Sequence, residues 1–298
     1  MQLIKYISEI YQRKKKSSQI PLKVFSCLPV NKTIFLHIHL LFHLNKMATE
    51  KYCSALVLAA GLGTRMKSSR AKVLHEVQSK PMILHVMDTI KNLSLDHTYV
   101  VVGHQKEKVA ALLDGYQASC IIQEEQLGTG HAVLCAEEEL RSIGGTVLIL
   151  SGDVPLIRAE TLQAMLAEHA QNEPVLSLMA TTLDDPTNYG RIVRNNQGGL
   201  QGIVEEKDAS AEQKEIKEIN AGIYCAEISF LFEALKKVGT DNKQGEIYLT
   251  DIVKIAIDAG LGVDVFSGAS SEEVLGINSR HELAAANEYL QCKKNNSL

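Results

Sequence analysis

A short apolar run that ends in glycines constrains this chain more than any other stretch. Ala55-Leu56-Val57-Leu58 reads as a buried strand. Leu58 to Lys72, LAAGLGTRMKSSRAK, then supplies Gly61, Gly63 and Thr64, followed by the cations Arg65 and Lys72. Glycines at a strand end let backbone N–H groups approach an anion closely. Arg65 can grip phosphate oxygens in a fork, and Lys72 adds a compact charge. The stretch therefore predicts a grip for a nucleoside triphosphate. It is not a P-loop, which needs Gly-x4-Gly-Lys-Ser/Thr, because no lysine follows Gly63. Nor is it a dinucleotide fingerprint, because Met66 stands where the third glycine belongs. For the Gly-x-Gly pair alone, an ordinary tight turn with solvated charges is the alternative.

From Tyr52 onward, short apolar strands alternate with amphipathic helices. Strands are predicted at Ala55–Ala59, Thr98–Val102, Cys120–Gln123 and Thr146–Ser151, and helices at Met82–Asn92, Lys106–Leu113 and Thr129–Arg141. This alternation is the mark of a doubly wound, mainly parallel sheet in a three-layer, Rossmann-like α/β fold. Ligands in such folds sit beyond the carboxyl ends of the strands. The glycine loop, Gln123 and Asp153 all follow strands and can converge there. The second half is less regular. Strands are predicted at Pro174–Leu183, Arg191–Arg194, Gly202–Val204, Ala221–Cys225 and Val263–Phe266, and helices at Ala211–Lys217, Ser229–Lys237, Leu249–Asp258 and Arg280–Lys294. No linker rich in Pro, Gly or Ser divides the chain, so residues 47–298 read as one domain.

Charge is unevenly spread. The net charge is −4, yet residues 1–46 carry eight Lys/Arg against Glu9 alone, +7, which leaves −11 for the rest. An acidic body argues against broad nucleic-acid binding. Residues 1–46 read as a disordered or artefactual leader, with Met47 as the true start; an organelle-targeting peptide is the other reading. The apolar run Ile34–Leu44 is broken by His37, His39 and His43. It falls short of the roughly 20 residues a membrane span needs. The six cysteines show no Cys-x-x-Cys spacing, which argues against zinc. Cys120, Cys135 and Cys225 lie in apolar contexts and are expected to be buried free thiols, as suits a reducing cytoplasm.

Further motifs stand at predicted strand ends. In Gln123-Glu124-Glu125-Gln126-Leu127-Gly128-Thr129-Gly130-His131, the Gln123 amide can match a pyrimidine edge, and Gly128 and Thr129 let backbone approach a flat base. A polar loop capping the next helix through Thr129 is the alternative. Asp153, after the most apolar strand, can hold Mg²⁺ against phosphate oxygens; a turn aspartate is the alternative. Gly190 can let backbone touch a sugar. Glu205 can accept from sugar hydroxyls and Lys207 can neutralise a sugar phosphate, unless this run is only a charged turn. Asn220 precedes a strand. Asn278 offers an oxygen ligand or, alternatively, an N-cap for the last helix.

Leu-x-x-Gly-x-Gly-Thr-Arg followed by Lys72 resembles the signature of sugar-1-phosphate nucleotidyltransferases, with Ala71 where that family usually has Pro. LAAGLGTRMKS, AKVLHEV, EQLGTGHA, GDVPL, DPTNYGRI, IVEEKDAS, EINAGIY, QGEIYLTD and LGINSR together resemble the uridylyltransferase domain of bacterial N-acetylglucosamine-1-phosphate uridyltransferases, from about Cys53 to about Gln291. The resemblance implies the nucleotide-diphospho-sugar transferase fold, with a nucleotide-binding first half and a sugar-binding second half. It implies UTP and N-acetylglucosamine 1-phosphate as substrates and Mg²⁺ as cofactor. Ala60, Gly61, Gln123, Gly128 and Thr129 would meet the nucleotide, and Arg65 and Lys72 the triphosphate. Asp153 and Asn278 would hold the metal, and Gly190, Glu205 and Asn220 the amino sugar. Ser151 stands where many members have Tyr, so a changed contact is expected there. Members usually continue into a left-handed β-helix of hexapeptide repeats with acetyltransferase activity. No such repeat is visible before Leu298, so that activity and the trimer contacts of that helix are not expected.

Overall fold

The computed structural model describes residues 52–296. The expectation for residues 1–46 falls outside them. Strand β1 (Cys53–Ala59) lies deep in a nine-stranded sheet, with Ala55, Leu56 and Val57 fully buried. A strand covered on both faces needs such unbroken apolar character. On one side β4 (His97–Val102) and then β5 (Ser119–Ile122) continue the sheet in parallel, and β6 (Thr146–Ser151) does so on the other.

Past β6 come β10 (Glu218–Glu227), β7 (Leu176–Thr182) and the edge strand β11 (Val263–Phe266), giving the order β11-β7-β10-β6-β1-β4-β5. β10 runs antiparallel to both β6 and β7. Its orientation brings its first residues to the edge where the parallel strands end. A register shift between Asn220 and Tyr224 bends β10 there, as an extra residue in a ladder does. The hairpin of β8 (Gly190–Arg194) and β9 (Leu200–Val204) branches off through Ile219 and Asn220.

Helices cover both faces. α1 (Met82–Lys91), α2 (Lys106–Leu112) and α5 (Ala159–Asn172) pack Ile83, Val109 and Met165 against Val57, Val100 and Leu150. α3 (Thr129–Leu134), α4 (Glu137–Ile143), α7 (Ile228–Leu235) and α8 (Asp251–Asp258) pack Val133, Leu140, Phe232 and Ile252 against Leu56, Val101 and Ile149. The short α6 (Ala211–Lys214) starts with a reciprocal Ser210–Gln213 capping box. The closing helix α9 (Arg280–Asn296) lays Ala286 onto Met82 and Ile277, beside the small hairpin of β2 (Glu76–Val77) and β3 (Lys80–Pro81).

Three expectations need correction. The single helix at Thr129–Arg141 is two helices, because the chain leaves helical geometry at Ala136 (φ −98°, ψ 10°). The sequence reading missed α5, whose buried stripe includes the polar Thr161 and His169 beside Leu162 and Met165 and so breaks the apolar rhythm. Cys120 is exposed, because β5 is the last strand of the sheet; Cys135 is half-buried, and only Cys225 of the three is buried.

Candidate active site

The register of the parallel strands sets the site. Leu58 lies level with Ser151, Ala59 with Val102, and Val102 with Ile122. Ala60, Gln123, Gly152 and Asp153 therefore leave the sheet at one edge. The Gly152 N–H donates to Leu58 O at 2.9 Å and the Gln123 N–H to Val102 O at 2.8 Å, which pins these exits. Beside them opens a crevice of about 210 Å³ lined by Arg65, Thr129, Ser151, Asp153, Tyr189, Gly190, Glu205, Asn220 and Asn278, among others.

The cationic end is built around Lys72. Gly63 has φ +64°, and a Cβ there would lie 2.6 Å from Lys72 Cβ, so glycine lets the lysine stem pass. The Lys72 ammonium donates to Asp153 and, at 2.9 Å, to Asn278 Oδ1. Asn278 Nδ2 donates to Gly276 O at 3.0 Å, which turns the amide oxygen toward the lysine. The Ile277 N–H donates to Asp153 O at 2.9 Å and joins the two segments. Ser279 Oγ, not the Asn278 side chain, takes the Glu282 N–H at the start of α9. Arg65 is exposed at the crevice and makes no ion pair among the described residues. One carboxylate and one amide oxygen converging where an ammonium already sits make a donor set suited to a hard divalent cation, whose other positions phosphate or water can fill.

The nucleotide-side candidates lie in and beside the loop between β5 and α3 and in the loop after β1. Gln123 is buried; its Nε2 donates to Gly128 O at 3.3 Å and lies 3.0 Å from His131 Nδ1, so His131 helps orient the amide. Gly128 has φ +111°, and a Cβ there would come within 2.5 Å of Ile247 O. The Thr129 hydroxyl accepts the Leu249 N–H at 3.1 Å and makes no cap to α3. Ala60 is buried and its carbonyl takes the His104 N–H at 3.4 Å, while Gly61 stands exposed with open space around it.

The sugar-side candidates Gly190, Glu205 and Asn220 line the same crevice. Asn220 is buried, donates to Tyr224 Oη at 2.7 Å and accepts the Gly222 N–H at 3.1 Å. Glu205 accepts from the Thr250 hydroxyl at 3.0 Å. Burial, aided by Asp251, Asp208 and Glu246 nearby, pushes its carboxyl above the ordinary carboxylate value, against the Thr250 bond. A Cβ added at Gly190 would lie 3.6 Å from both Glu205 carboxylate oxygens, so backbone and acid face each other. Lys207 is not brought in: it is exposed and its ammonium donates to Gln244 on the outer side of the turn. Sequence reasoning gave no site role to Tyr189 or to Thr250. Tyr189 lines the crevice, its hydroxyl accepts the Gly276 N–H at 3.1 Å, and burial raises its pKa. Neither residue stands out in sequence, because an aromatic or a threonine before a helix is more often core or cap.

Known proteins share this arrangement of sequence. "Bifunctional protein GlmU" of Desulfotalea psychrophila is 47% identical over 252 residues, which is 85% of this chain and 74% of that protein. The chain belongs to the GlmU family. GlmU proteins of Corynebacterium aurimucosum and Listeria innocua are 43% and 47% identical over 82% and 81% of the chain, which spans about half of each, 51% and 52%. Residues 55–197 match the MobA-like NTP transferase domain, so this member of the GlmU family carries a nucleotidyltransferase domain. A crystal structure of UDP-glucose pyrophosphorylase complexed with UDP-glucose superposes with a TM-score of 0.67 at 18% identity, covering 81% of this chain and 99% of that one. At that identity the likeness fixes the fold of the GlmU-family chain, a mixed, mainly parallel α/β sheet.

Proposed function

We propose that the chain is a UDP-N-acetylglucosamine pyrophosphorylase, converting UTP and N-acetyl-α-D-glucosamine 1-phosphate to UDP-N-acetylglucosamine and diphosphate. The observation that carries this reading is that Lys72 binds both Asp153 and Asn278, and that these two line one crevice with Arg65, Gly190, Glu205 and Asn220. A phosphate oxygen of the sugar phosphate attacks the α-phosphorus of UTP. The bond from that phosphorus to the bridging oxygen breaks, and diphosphate leaves in line. The nucleophile is already anionic, so no base and no covalent enzyme intermediate is needed. The chain's part is positioning and charge neutralisation.

Lys72 and Arg65 take the phosphates, Gln123 reads the uracil edge, and Ala60, Gly61, Gly128 and Thr129 bound the nucleotide. Glu205 and Asn220 accept and donate to sugar hydroxyls and the acetamido group, with Gly190 backbone alongside. Asp153 and Asn278 would hold Mg²⁺, which when bound neutralises charge on the phosphates. The free thiols suit a reducing cytoplasm. Among the described residues no helix is long and apolar enough to cross a membrane.

The test is diphosphate release with a panel of sugar 1-phosphates against UTP, dTTP and CTP. The expected result is preference for UTP with N-acetylglucosamine 1-phosphate, and loss of turnover in Asp153→Ala with the fold retained. Turnover of another pair in preference, or binding of UDP-sugar with no turnover at all, would replace this reading with a different transferase or an inactive binding protein.

A further inference from the structure

Arg191 is the bulkiest fully buried side chain among the described residues, only 1% exposed. A charge so placed needs partners. Two of its three bonds go to Tyr189 and Glu206, which stand in the crevice lining or next to it, and the third goes to α6. Nη1 donates to the carbonyl of Tyr189, Nη2 donates to Glu206 Oε2 at 2.7 Å, and Nη2 also reaches Lys214 O at 3.4 Å. Among the described residues the Nε–H has no partner. A guanidinium kept in this state does not serve packing alone, since an apolar side chain of similar size would fill the space without an unmet donor. Lys214 also approaches the other Glu206 oxygen at 3.6 Å, so the turn after β9 is clamped from two sides.

The partners matter more than the count. Tyr189 precedes Gly190, and its hydroxyl takes the Gly276 N–H two residues before Asn278. Glu206 follows Glu205, whose carboxylate faces Gly190. Arg191 thus straps the strand start that carries Tyr189 and Gly190 to the strand end that carries Glu205. We propose that Arg191, with Glu206, is a positioning residue that fixes the gap between the Gly190 backbone and the Glu205 carboxylate, and so sets recognition of the sugar phosphate without touching it. This rests on the pyrophosphorylase reading above.

The fork geometry explains why lysine cannot replace it. A planar guanidinium reaches a carbonyl and a carboxylate at fixed angles, whereas an ammonium is a point charge on a flexible stem. The test measures KM for N-acetylglucosamine 1-phosphate and for UTP separately, with kcat and circular dichroism, in Arg191→Lys, Glu206→Gln and the charge-free pair Arg191→Met/Glu206→Gln. The expected result is a rise of roughly 10- to 100-fold in KM for the sugar phosphate, with KM for UTP nearly unchanged. Glu206 is partly exposed, so Glu206→Gln keeps the question decidable if the Arg191 variants do not fold. A fall in active fraction with both KM values unchanged, or an equal rise in both, overturns the positioning role. Wild-type protein that turns over no sugar 1-phosphate would instead sink the reading beneath it.

Discussion

Replacing Lys72 by methionine tests the cationic end directly. Methionine keeps a stem that can pass Gly63, where an added Cβ would lie 2.6 Å from the lysine Cβ, and removes only the ammonium. Asp153 then loses its counter-charge. The two side chains are 18% and 11% exposed, so the pair is neither fully buried nor free in water. Breaking a buried pair costs about 3–5 kcal/mol and an exposed one about 0–1 kcal/mol. An intermediate loss of about 2 kcal/mol follows for this geometry. In a domain of this size that lowers Tm by about 4–8 °C. The assay is thermal melting of wild type and Lys72→Met in EDTA and in Mg²⁺, followed by diphosphate release. In EDTA the variant melts lower. Mg²⁺ gives Asp153 a new counter-charge and recovers part of the fall in the variant, while the wild type, already neutralised there, shifts less. Turnover drops about 10²–10³-fold, the usual loss on removing one charge-stabilising group from a reaction centre. Unchanged melting in EDTA would show that the lysine does not hold Asp153. An equal Mg²⁺ shift in both proteins would show that Asp153 and Asn278 are not where the ion binds.

Two further outcomes follow from Glu205 and from the loop that carries Gly128. Burial holds Glu205 protonated to higher pH in the folded chain than in the unfolded one, so its contribution to stability is fully present below the unfolded pKa and is lost as pH rises through the folded pKa. Glu205→Gln should therefore melt higher than wild type at neutral pH while binding the sugar phosphate more weakly. A pH series of melts in which the gap widens on acidification would contradict this. Gly128→Ala forces a Cβ to within 2.5 Å of Ile247 O at φ +111° and should cost about 1–3 kcal/mol. Its UTP KM should rise roughly tenfold as the loop moves; wild-type melting and KM together would show that the loop yields freely.

Much of this molecule was legible in its residues. Strands β1, β4, β5 and β6 were placed within about two residues because each is a continuous apolar run ending at glycine, glutamine or serine, whereas the two-residue strands β2 and β3 carry no such run and were missed. Asp153 was legible from its strand end, and Lys72 and Asn278, which bind to it or beside it, and Arg65, which lines the same crevice, from family resemblance. What escaped reading depends on contacts that no local pattern encodes. Nothing in Glu218–Glu227 tells that it runs against its neighbours, because an antiparallel strand buried on both faces reads like a parallel one. The Thr129 and Thr250 hydroxyls sit where caps belong, yet they serve Leu249 and Glu205, partners that only the fold brings near. Lys207 carries the right charge one turn too far out, because the chain bends immediately after Glu205, whose carbonyl takes the Asp208 and Ala209 N–H groups.

The segment from Asn242 to Thr250 touches both the loop after β5 and the turn after β9. Ile247 exchanges backbone bonds with Leu127 and Gly130, while Tyr248 and Thr250 reach Asp208 and Glu205. One stretch of main chain thus stitches the loop that carries Gln123 to the turn that carries Glu205. Swapping the sugar preference of such a transferase by transplanting strand ends alone would leave this seam mismatched; a working chimera has to take the seam from the same donor as the turn it supports.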